Sequence, residues 1–399
     1  MYVTEPTVAL NCPARARSSG RGRVLFPTVM VALVLLLAIG LHLSGFRGGL
    51  TVFVGFGSHF AAATHPPPGA LVDTSNGYDG QFFYLQAHDP LLLHSSTVSA
   101  LRAAGEGFRV QRVAYPALAF LLAGGRFSAI PFALLAVNLI VVLALTAGFA
   151  IYARRRGWST WWAVAIALMP GMLLPVLRDL SDPLAAASML AAVLMWRSGQ
   201  RWPAALALSV AVLAREVMMV VVLALAAEAA VRAWRQRAIP GAWRSAASRA
   251  WPVVVVPTVI FAGWQAYITT RYGGPVGGAP LSPPLVGIVD EVRRSMHNSW
   301  PPYAVWDLVY VLLILAAAAA ALASLSRQVT ITSAAASALA LGALIPMMGD
   351  AWSDTRLSAP LFAVLLVDGL QRRHRSSVLI STIAAATTIL IPFSIPGAF

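Results

Sequence analysis

The chain has 399 residues, of which 58% are hydrophobic and only 11% charged, and its formal net charge is +14. A soluble domain carries about 25% charged residues, so this composition excludes an ordinary soluble globular protein. Apolar runs of about 20 residues, long enough to cross a bilayer, recur along the chain and predict an all-α polytopic membrane protein. With one cysteine, Cys12, no intrachain disulfide can form.

All 29 basic residues are arginines, and most of them flank the same ends of the apolar runs. Eighteen fall on that side: Arg15, Arg17, Arg21, Arg23, Arg154, Arg155, Arg156, Arg197, Arg201, Arg232, Arg235, Arg237, Arg244, Arg249, Arg327, Arg372, Arg373 and Arg375. Of the 15 acids, only Glu5, Glu228 and Asp368 share it. This positive-inside pattern predicts a cytoplasmic N-terminus. It makes membrane lipids, and not nucleic acid, the expected partner of the positive charge. The absence of lysine, with abundant alanine and proline, indicates a GC-rich bacterial genome, and hence the bacterial cytoplasmic membrane.

In chain order, residues 1–23 are predicted to form a basic cytoplasmic tail, and residues 24–399 one transmembrane domain. The first span at about 24–44 precedes a large outer loop at about 45–112. Segment 114–123 is too short to cross, and we expect a re-entrant or interfacial helix there. Later spans are expected near 129–152, 159–176, 183–196, 203–232, 251–270, 303–324, 329–348, 357–370 and 377–395, with a second outer loop near 271–302. The total is about 10 to 12 transmembrane helices.

Segment 203–232 has basic flanks at both ends, so it should cross twice. Its length allows either two short half-helices with Arg215-Glu216 at the apex, or one tilted helix of about 45 Å.

The first outer loop carries the most informative motif, which reads Gly77-Tyr78-Asp79-Gly80-Gln81-Phe82-Phe83-Tyr84 and continues to His88-Asp89-Pro90. Aromatic rings beside a carboxylate suit a sugar, because rings stack on its apolar face and the carboxylate accepts from its hydroxyls. Asp79 is the candidate general base for an acceptor hydroxyl. The alternative is structural, because Asp-Gly is a turn signal and an aspartate before proline often caps or turns a chain.

Further polar residues lie where other apolar runs end on the arginine-poor side. They are Arg109, Arg112, Arg178, Asp179, Asp182, Arg215, Glu216, Arg271, Tyr272, Asp350, Trp352, Asp354 and Arg356. Ionisable residues near the membrane interior are costly and usually functional, so this clustering predicts a polar cavity that opens outward. Arginine binds phosphate oxygens in a bidentate manner, which makes Arg109, Arg112, Arg178 and Arg215 the pool of phosphate ligands.

Each of these groups also has a structural interpretation. Arg109 and Arg112 could contact lipid headgroups. Arg178 could pair with Asp182, Arg215 with Glu216, and Arg356 with Asp354. The candidate substrate-binding residues are Tyr78, Gln81, Tyr84, His88, Asp89, Arg109, Arg112, Arg178, Asp182, Arg215, Glu216 and Arg356.

Several motifs are absent from the sequence. There is no P-loop, no zinc-like spacing of histidine and cysteine, and no Asp-x-Asp motif of the kind that binds a nucleotide-sugar metal. The sequence therefore favours a lipid-linked sugar donor over a nucleotide sugar.

The loop motif resembles that of a group of bacterial multi-spanning proteins of cell-surface glycopolymer formation. The matching residues are Gly77 to Tyr84, Ala87, Asp89-Pro90, Arg109-x-x-Arg112-x-x-Tyr115-Pro116, Leu180-Ser181-Asp182-Pro183 and Leu213-Ala214-Arg215-Glu216. The group looks like the GT-C class of glycosyltransferases and, more remotely, the GPI mannosyltransferases. The resemblance covers roughly residues 24–235.

The resemblance implies an inverting glycosyltransferase with a GT-C-like bundle. It would take sugar from a polyprenyl-phosphate donor at the extracytoplasmic face and give it to an envelope glycan or lipid, with Asp79 activating the acceptor. Many members carry two adjacent acids in this loop, whereas Gly80 follows Asp79 here, so Asp73 or Asp89 would supply a second carboxylate. Some members need a divalent cation and others do not, so no fixed cofactor is implied.

Two other functions fit the same pattern. A transporter or flippase of a lipid-linked sugar would use the polar groups as a pathway, but its paired broken helices in corresponding halves are not visible in the sequence. A non-catalytic partner in envelope assembly would tolerate asparagine at Asp79, which an enzyme would not.

Overall fold

The computed structural model describes residues 22–105, 107–238, 241–277, 283, 285–297, 301–344 and 351–390. Most of the predicted cytoplasmic tail, Asp350, and the side chains of Trp352 and Asp354 lie outside the described residues.

The described chain is mostly helical and has almost no sheet, as predicted. The α-helices are α1 (Gly22–Gly45), α2 (Ala61–Thr64), α3 (Gly80–His88), α4 (Ser95–Ala103), α5 (Ala114–Ala123), α6 (Ile130–Arg155), α7 (Trp162–Ala167), α8 (Pro170–Val176), α9 (Asp182–Arg197), α10 (Arg201–Ala214), α11 (Met219–Arg235), α12 (Ala242–Tyr272), α13 (Val286–Met296), α14 (Pro301–Arg327), α15 (Ile331–Ala343), α16 (Ala351–Arg372) and α17 (Arg375–Ala386). Short 3-10 helices cover Gly49–Phe53, Ser58–Phe60, Gly107–Gln111, Phe127–Ala129, Glu216–Met218 and Thr387–Leu390. Strands β1 (Phe56–Gly57) and β2 (Val72–Asp73) pair in parallel, with Phe56 opposite Val72.

Five helical stretches are long and apolar enough to cross a membrane. They are Val24–Gly45, Phe127–Arg155, Glu216–Arg235, Ala250–Tyr272 and Ala304–Arg327. On α1, the side chains of Leu33, Leu36 and Leu37 are at least 60% exposed, as suits a surface that faces lipid. These features identify a helical membrane protein, whereas the total of 10 to 12 crossings stays a prediction.

Segment 203–232 is divided into α10 and α11. Arg215 has extended backbone angles (φ −157°, ψ 117°) that end α10, and the 3-10 helix Glu216–Met218 begins the return. Arg201 at the start of α10 and Arg232 near the end of α11 line one cleft, so both ends lie on the same side. The structure thus has two helices with Arg215-Glu216 at the apex, and not one tilted helix. Only the first, α10, is short at 14 residues, whereas Glu216–Arg235 is long enough to cross a membrane.

Helix α5 does not cross the bundle. After Ala123 the chain turns through Gly124 and Gly125, both with positive φ, and Phe127 then packs against His88 with ring centroids 4.9 Å apart. Because His88 belongs to the segment that precedes α5, the chain returns to the end of the bundle where α5 began. This path agrees with the predicted re-entrant or interfacial helix.

Residues 46–105 and 107–113 form a folded layer between α1 and α5. Phe53, Phe56 and Phe83 are fully buried in its contact with the main helical core. A smaller core, including Leu92 and Leu101, packs this layer against α12. The layer covers one end of the bundle and holds α3 in place.

The two ends of the bundle differ in charge. Helix α9 runs from Asp182 to Arg197, and α10 returns from Arg201 to Ala214. We call the end with Asp182 the cluster end and the end with Arg197 and Arg201 the arginine end. Which end faces the cytoplasm stays a prediction.

Candidate functional site

Charged side chains from five separate parts of the chain meet at the cluster end. We call this group the ion cluster: Asp79, Arg109, Arg112, Asp182, Arg215, Glu216 and Arg356. All seven are candidates from the sequence, and ion pairs connect them into one network. Tyr78 and Arg178 lie beside it.

Asp79 directly precedes α3, yet its side chain does not cap the helix. Arg109 Nη2 donates to Asp79 Oδ1 at 2.6 Å, and Arg356 Nη2 donates to Oδ2 at 3.4 Å. Arg112 Nη1 lies 4.0 Å from the same oxygen. Burial opposes ionisation of Asp79, but Arg109 and Arg356 outweigh it and hold the pKa of Asp79 well below its usual range. Asp79 is therefore a carboxylate that faces cations, and not only a turn residue.

Two glycines allow the backbone to bring Asp79 to this place. Gly77 has φ +67°, and a Cβ there would lie 2.3 Å from the backbone nitrogen of Gly57. A Cβ on Gly80 would lie 2.6 Å from the carbonyl oxygen of Val54 and 2.7 Å from that of Arg178. The spacing of the motif thus reflects close backbone packing on both sides of Tyr78-Asp79.

The other two carboxylates of the ion cluster, Glu216 and Asp182, bind arginines through both of their oxygens. Arg112 binds Glu216 in a bidentate manner, with Nε and Nη2 donating at 2.9 and 2.8 Å. Asp182 accepts from Arg356 Nε at 3.1 Å and pairs with Arg215 through its other oxygen. The Asp182 side chain is only 3% exposed, whereas Asp79 keeps 17%. Asp79 is thus the more accessible of these two aspartates.

Positive charge exceeds negative charge at the site. The ion cluster has four guanidinium groups and three carboxylates, and beside it the Arg178 guanidinium interacts with the Asp73 carboxylate. The nearby Asp179 adds no negative charge, because its complete burial raises its pKa well above the usual range and favours the neutral form. A buried cluster with a net positive charge is costly, so the arrangement favours an additional anionic ligand.

Aromatic rings hold the arginines in position. The Arg109 guanidinium lies 4.3 Å from the ring centroid of Phe108 and 5.0 Å from that of Phe82. Arg178 and Arg356 approach the ring of Tyr78 at 5.9 and 6.0 Å. Such contacts fix the direction of each guanidinium while leaving its N–H groups able to bind an anion.

A cavity of about 640 Å³ adjoins the ion cluster through Tyr78 and Arg178. It is lined by His42, Phe46, Val52, Gly55, Phe56, Leu71, Val72, Asp73, Thr74, Ser75, Gly77, Tyr78 and Arg178. His42 lies in the last turn of α1 and Phe46 directly follows that helix, so the cavity reaches from a candidate membrane span to the charged site. Its wall combines aromatic rings with hydroxyl groups and a carboxylate, which are groups that bind sugars.

The folded layer contains four of the predicted substrate-binding residues, which are Gln81, Tyr84, His88 and Asp89. The buried amide of Gln81 accepts from Gly57 N–H at 3.2 Å and donates to the Asn76 carbonyl at 2.8 Å. The Tyr84 ring packs edge-on against Phe56, with centroids 5.2 Å apart. Both side chains contribute to the fold of the loop.

His88 and Asp89 are also used by the loop itself. His88 Nδ1 bonds the Tyr84 carbonyl at 2.8 Å. Asp89 accepts from the backbone N–H groups of Leu93 and His94 at 2.9 and 2.8 Å. The structure therefore places Asp79, but not Asp89, in the ion cluster. Arg271 is similarly occupied, because its guanidinium donates to the Leu92 and Leu93 carbonyls.

Two neighbours of the site were not among the sequence candidates. Phe108 precedes Arg109 and stacks on it, and His42 is fully buried between the rings of Phe46 and Phe53. A histidine inside the first apolar segment is itself a signal, because polar residues within spans are usually functional.

Among the described residues, no group of three or more histidine, cysteine, aspartate or glutamate side chains is arranged to hold a metal ion. Comparison of the chain with models of protein families, with curated proteins and with solved structures found no match.

Proposed function

We propose that the protein transfers a sugar from a polyprenyl-phosphate donor to a hydroxyl of an envelope glycan or lipid. The observation that carries the proposal is the ion cluster, with its excess of arginines, beside a cavity that reaches α1. A donor with a lipid tail, a phosphate and a sugar needs an apolar surface, a cationic site and a polar pocket next to one another.

The charge of the cluster suits the departing phosphate better than the bound donor. A polyprenyl-phosphate sugar is a phosphodiester with one negative charge, whereas the polyprenyl phosphate that leaves carries two near neutral pH. The ion cluster has four guanidinium groups and three carboxylates, so its net charge is positive and attracts a dianion more strongly than a monoanion. Positive groups that are fixed in advance stabilise charge as it develops, so they lower the barrier and do not merely tighten ground-state binding.

Asp79 is the base in this proposal. The acceptor oxygen attacks the anomeric carbon on the face opposite the phosphate, and its proton passes to the Asp79 carboxylate. The bond between the anomeric carbon and the phosphate oxygen breaks, and its electron pair leaves with the phosphate, so the anomeric configuration inverts. Asp182 is poorly suited to this role, because its oxygens face Arg215 and Arg356 and its side chain is only 3% exposed.

The arginines that bind Asp79 also tune it. In the free protein, Arg109 and Arg356 depress the pKa of Asp79, which keeps it ionised but makes it a weak base. A donor phosphate that takes up N–H groups of Arg109 and Arg356 would weaken these ion pairs and raise the pKa of Asp79. The base would then be strongest when the donor is present.

The test is transfer by the purified protein in lipid vesicles, with a panel of polyprenyl-phosphate donors labelled in the sugar and with envelope extracts as acceptors. The proposal expects label in a glycan or glycolipid, an equal amount of polyprenyl phosphate, and an inverted anomeric centre. Movement of uncleaved donor across the bilayer would instead identify a flippase. Neither transfer nor movement with any donor would favour a non-catalytic assembly protein.

A further inference from the structure

A second cavity lies away from the ion cluster, between α6 and α9 with α10 at its edge. It has a volume of about 540 Å³ and ends at Arg155 and Arg156. Small side chains open it: Ala144, Gly148, Ala187, Ser188, Ala191 and Ala207. A Cβ added at Gly148 would meet no atom within 4 Å, so the space beside this position is open. We call this cavity the α6–α9 groove.

The groove has an apolar body and a cationic end. Leu145, Phe149 and Leu194 are among its apolar lining residues, and no acidic residue lines it. Arg156 lies over the Tyr152 ring, with its guanidinium carbon 5.3 Å from the ring centroid. Neither Arg155 nor Arg156 forms an ion pair with a described carboxylate.

The length of the groove matches one leaflet of a bilayer. Its α6 wall runs from Val141 to Arg155, which is about 21 Å at a helical rise of about 1.5 Å per residue. Half of a bilayer, with its headgroup region, is about 20–22 Å thick. When the two arginines lie at headgroup level, the apolar part of the groove therefore reaches close to the bilayer midplane.

We propose that the α6–α9 groove binds an anionic phospholipid of the leaflet at the arginine end. Its acyl chain lies between α6 and α9, and its phosphate binds Arg155 and Arg156. Basic pockets between membrane helices recognise anionic headgroups in this way. A free phosphate would leave the apolar length of the groove unfilled, so the occupant is a lipid. This site is separate from the ion cluster and does not depend on the proposed transferase activity.

The first test compares binding of phosphatidylglycerol and phosphatidylcholine to the purified protein by native mass spectrometry. Each arginine near a membrane surface contributes about a fivefold preference for an anionic lipid, so Arg155→Gln with Arg156→Gln should weaken phosphatidylglycerol binding about 30-fold. Phosphatidylcholine binding should change little. Arg154→Gln is the matched control, because Arg154 is on the same helical turn but does not line the groove.

The second test fills the apolar part of the α6–α9 groove and leaves Arg155 and Arg156 in place. A Cβ at Gly148 meets no atom within 4 Å, so Gly148→Leu should extend its side chain into the groove and abolish the immobilised signal of a chain-labelled phosphatidylglycerol in electron spin resonance. Inorganic phosphate should not displace that lipid. Equal phosphatidylglycerol binding by wild type and the Arg155/Arg156 double variant would overturn the proposal. An immobilised signal unchanged by Gly148→Leu would overturn it as well.

Discussion

Replacement of Asp182 by asparagine should strongly destabilise the protein. The Asp182 side chain is 3% exposed and pairs with Arg215 and Arg356, which are themselves only 8% and 7% exposed. Asparagine keeps the volume but removes the charge that pairs with Arg215 and that shares Arg356 with Asp79. Breaking a buried ion pair by removing one partner costs about 3–5 kcal/mol, and we expect a loss in this range. Equilibrium unfolding in mixed detergent micelles would measure it.

The control for this prediction is Asp290→Asn. Asp290 is 49% exposed and lies 3.7 Å from Arg293 on α13, so its loss should cost less than about 1 kcal/mol. Combining Asp182→Leu with Arg215→Met should recover part of the stability, since a buried ion pair can often be replaced by apolar side chains. A loss below about 1 kcal/mol for Asp182→Asn would refute the view that this aspartate is the counter-charge of two buried arginines.

Three further predictions concern the residues around the base. Gly80→Ala should cost about 1–3 kcal/mol in unfolding free energy, because its Cβ would lie within 2.7 Å of two backbone carbonyl oxygens; unchanged stability would contradict this packing. Because the pKa of Asp79 is depressed, its carboxylate stays ionised as the pH falls, so the acid limb of kcat/KM should lie below the ordinary aspartate pKa of about 3.9. Arg109→Gln should move that limb upward, and a wild-type limb near pH 6 would argue against Asp79 as the base. Arg112→Lys should cost about 1–3 kcal/mol in the same unfolding assay, since lysine cannot reproduce the bidentate contact with Glu216; wild-type stability would show that this contact contributes little.

One physical reason explains why the sequence predicts both the class of fold and all seven members of the ion cluster. In a chain that is 58% hydrophobic, a charged residue next to a membrane span is costly and therefore conspicuous. Hydropathy also indicated that segment 114–123 was too short to cross and that Arg215-Glu216 interrupted a longer apolar run. Both features are present in the structure, as α5 and as the break between α10 and α11.

The pairing within the cluster was not predictable from sequence proximity. Neighbouring residues suggested that Arg215 could pair with Glu216 and Arg178 with Asp182. Instead, Arg215 pairs with Asp182, and Glu216 pairs with Arg112, which is 104 residues away. Arg215 is extended, and successive side chains of extended backbone point to opposite sides, so the two neighbours reach different partners.

The composition of the loop motif also did not show which polar side chains face a substrate and which stabilise the loop itself. Gln81 and Asp89 look like sugar ligands in the motif, but their polar atoms bond the loop backbone in the structure. A folded layer without long helices needs side chains to satisfy its backbone groups, and the sequence does not say which polar residues are used for that purpose. The prediction of one continuous span at 159–176 was wrong. In the structure α7 ends at Ala167 and Pro170 begins a second helix, α8, because proline cannot donate the backbone hydrogen bond that would continue α7.

The most direct test of the proposed function is the transfer rate of Asp79→Asn relative to wild type. Both proteins would be assayed in lipid vesicles with the same labelled polyprenyl-phosphate donor, with Asp290→Asn as a control for loss of a remote carboxylate. Loss of a general base lowers the rate by about 10²–10⁴, and we expect a fall of this size in a folded Asp79→Asn protein, with the control near wild type. An Asp79→Asn protein that transfers sugar at the wild-type rate would contradict the assignment of Asp79 as the base.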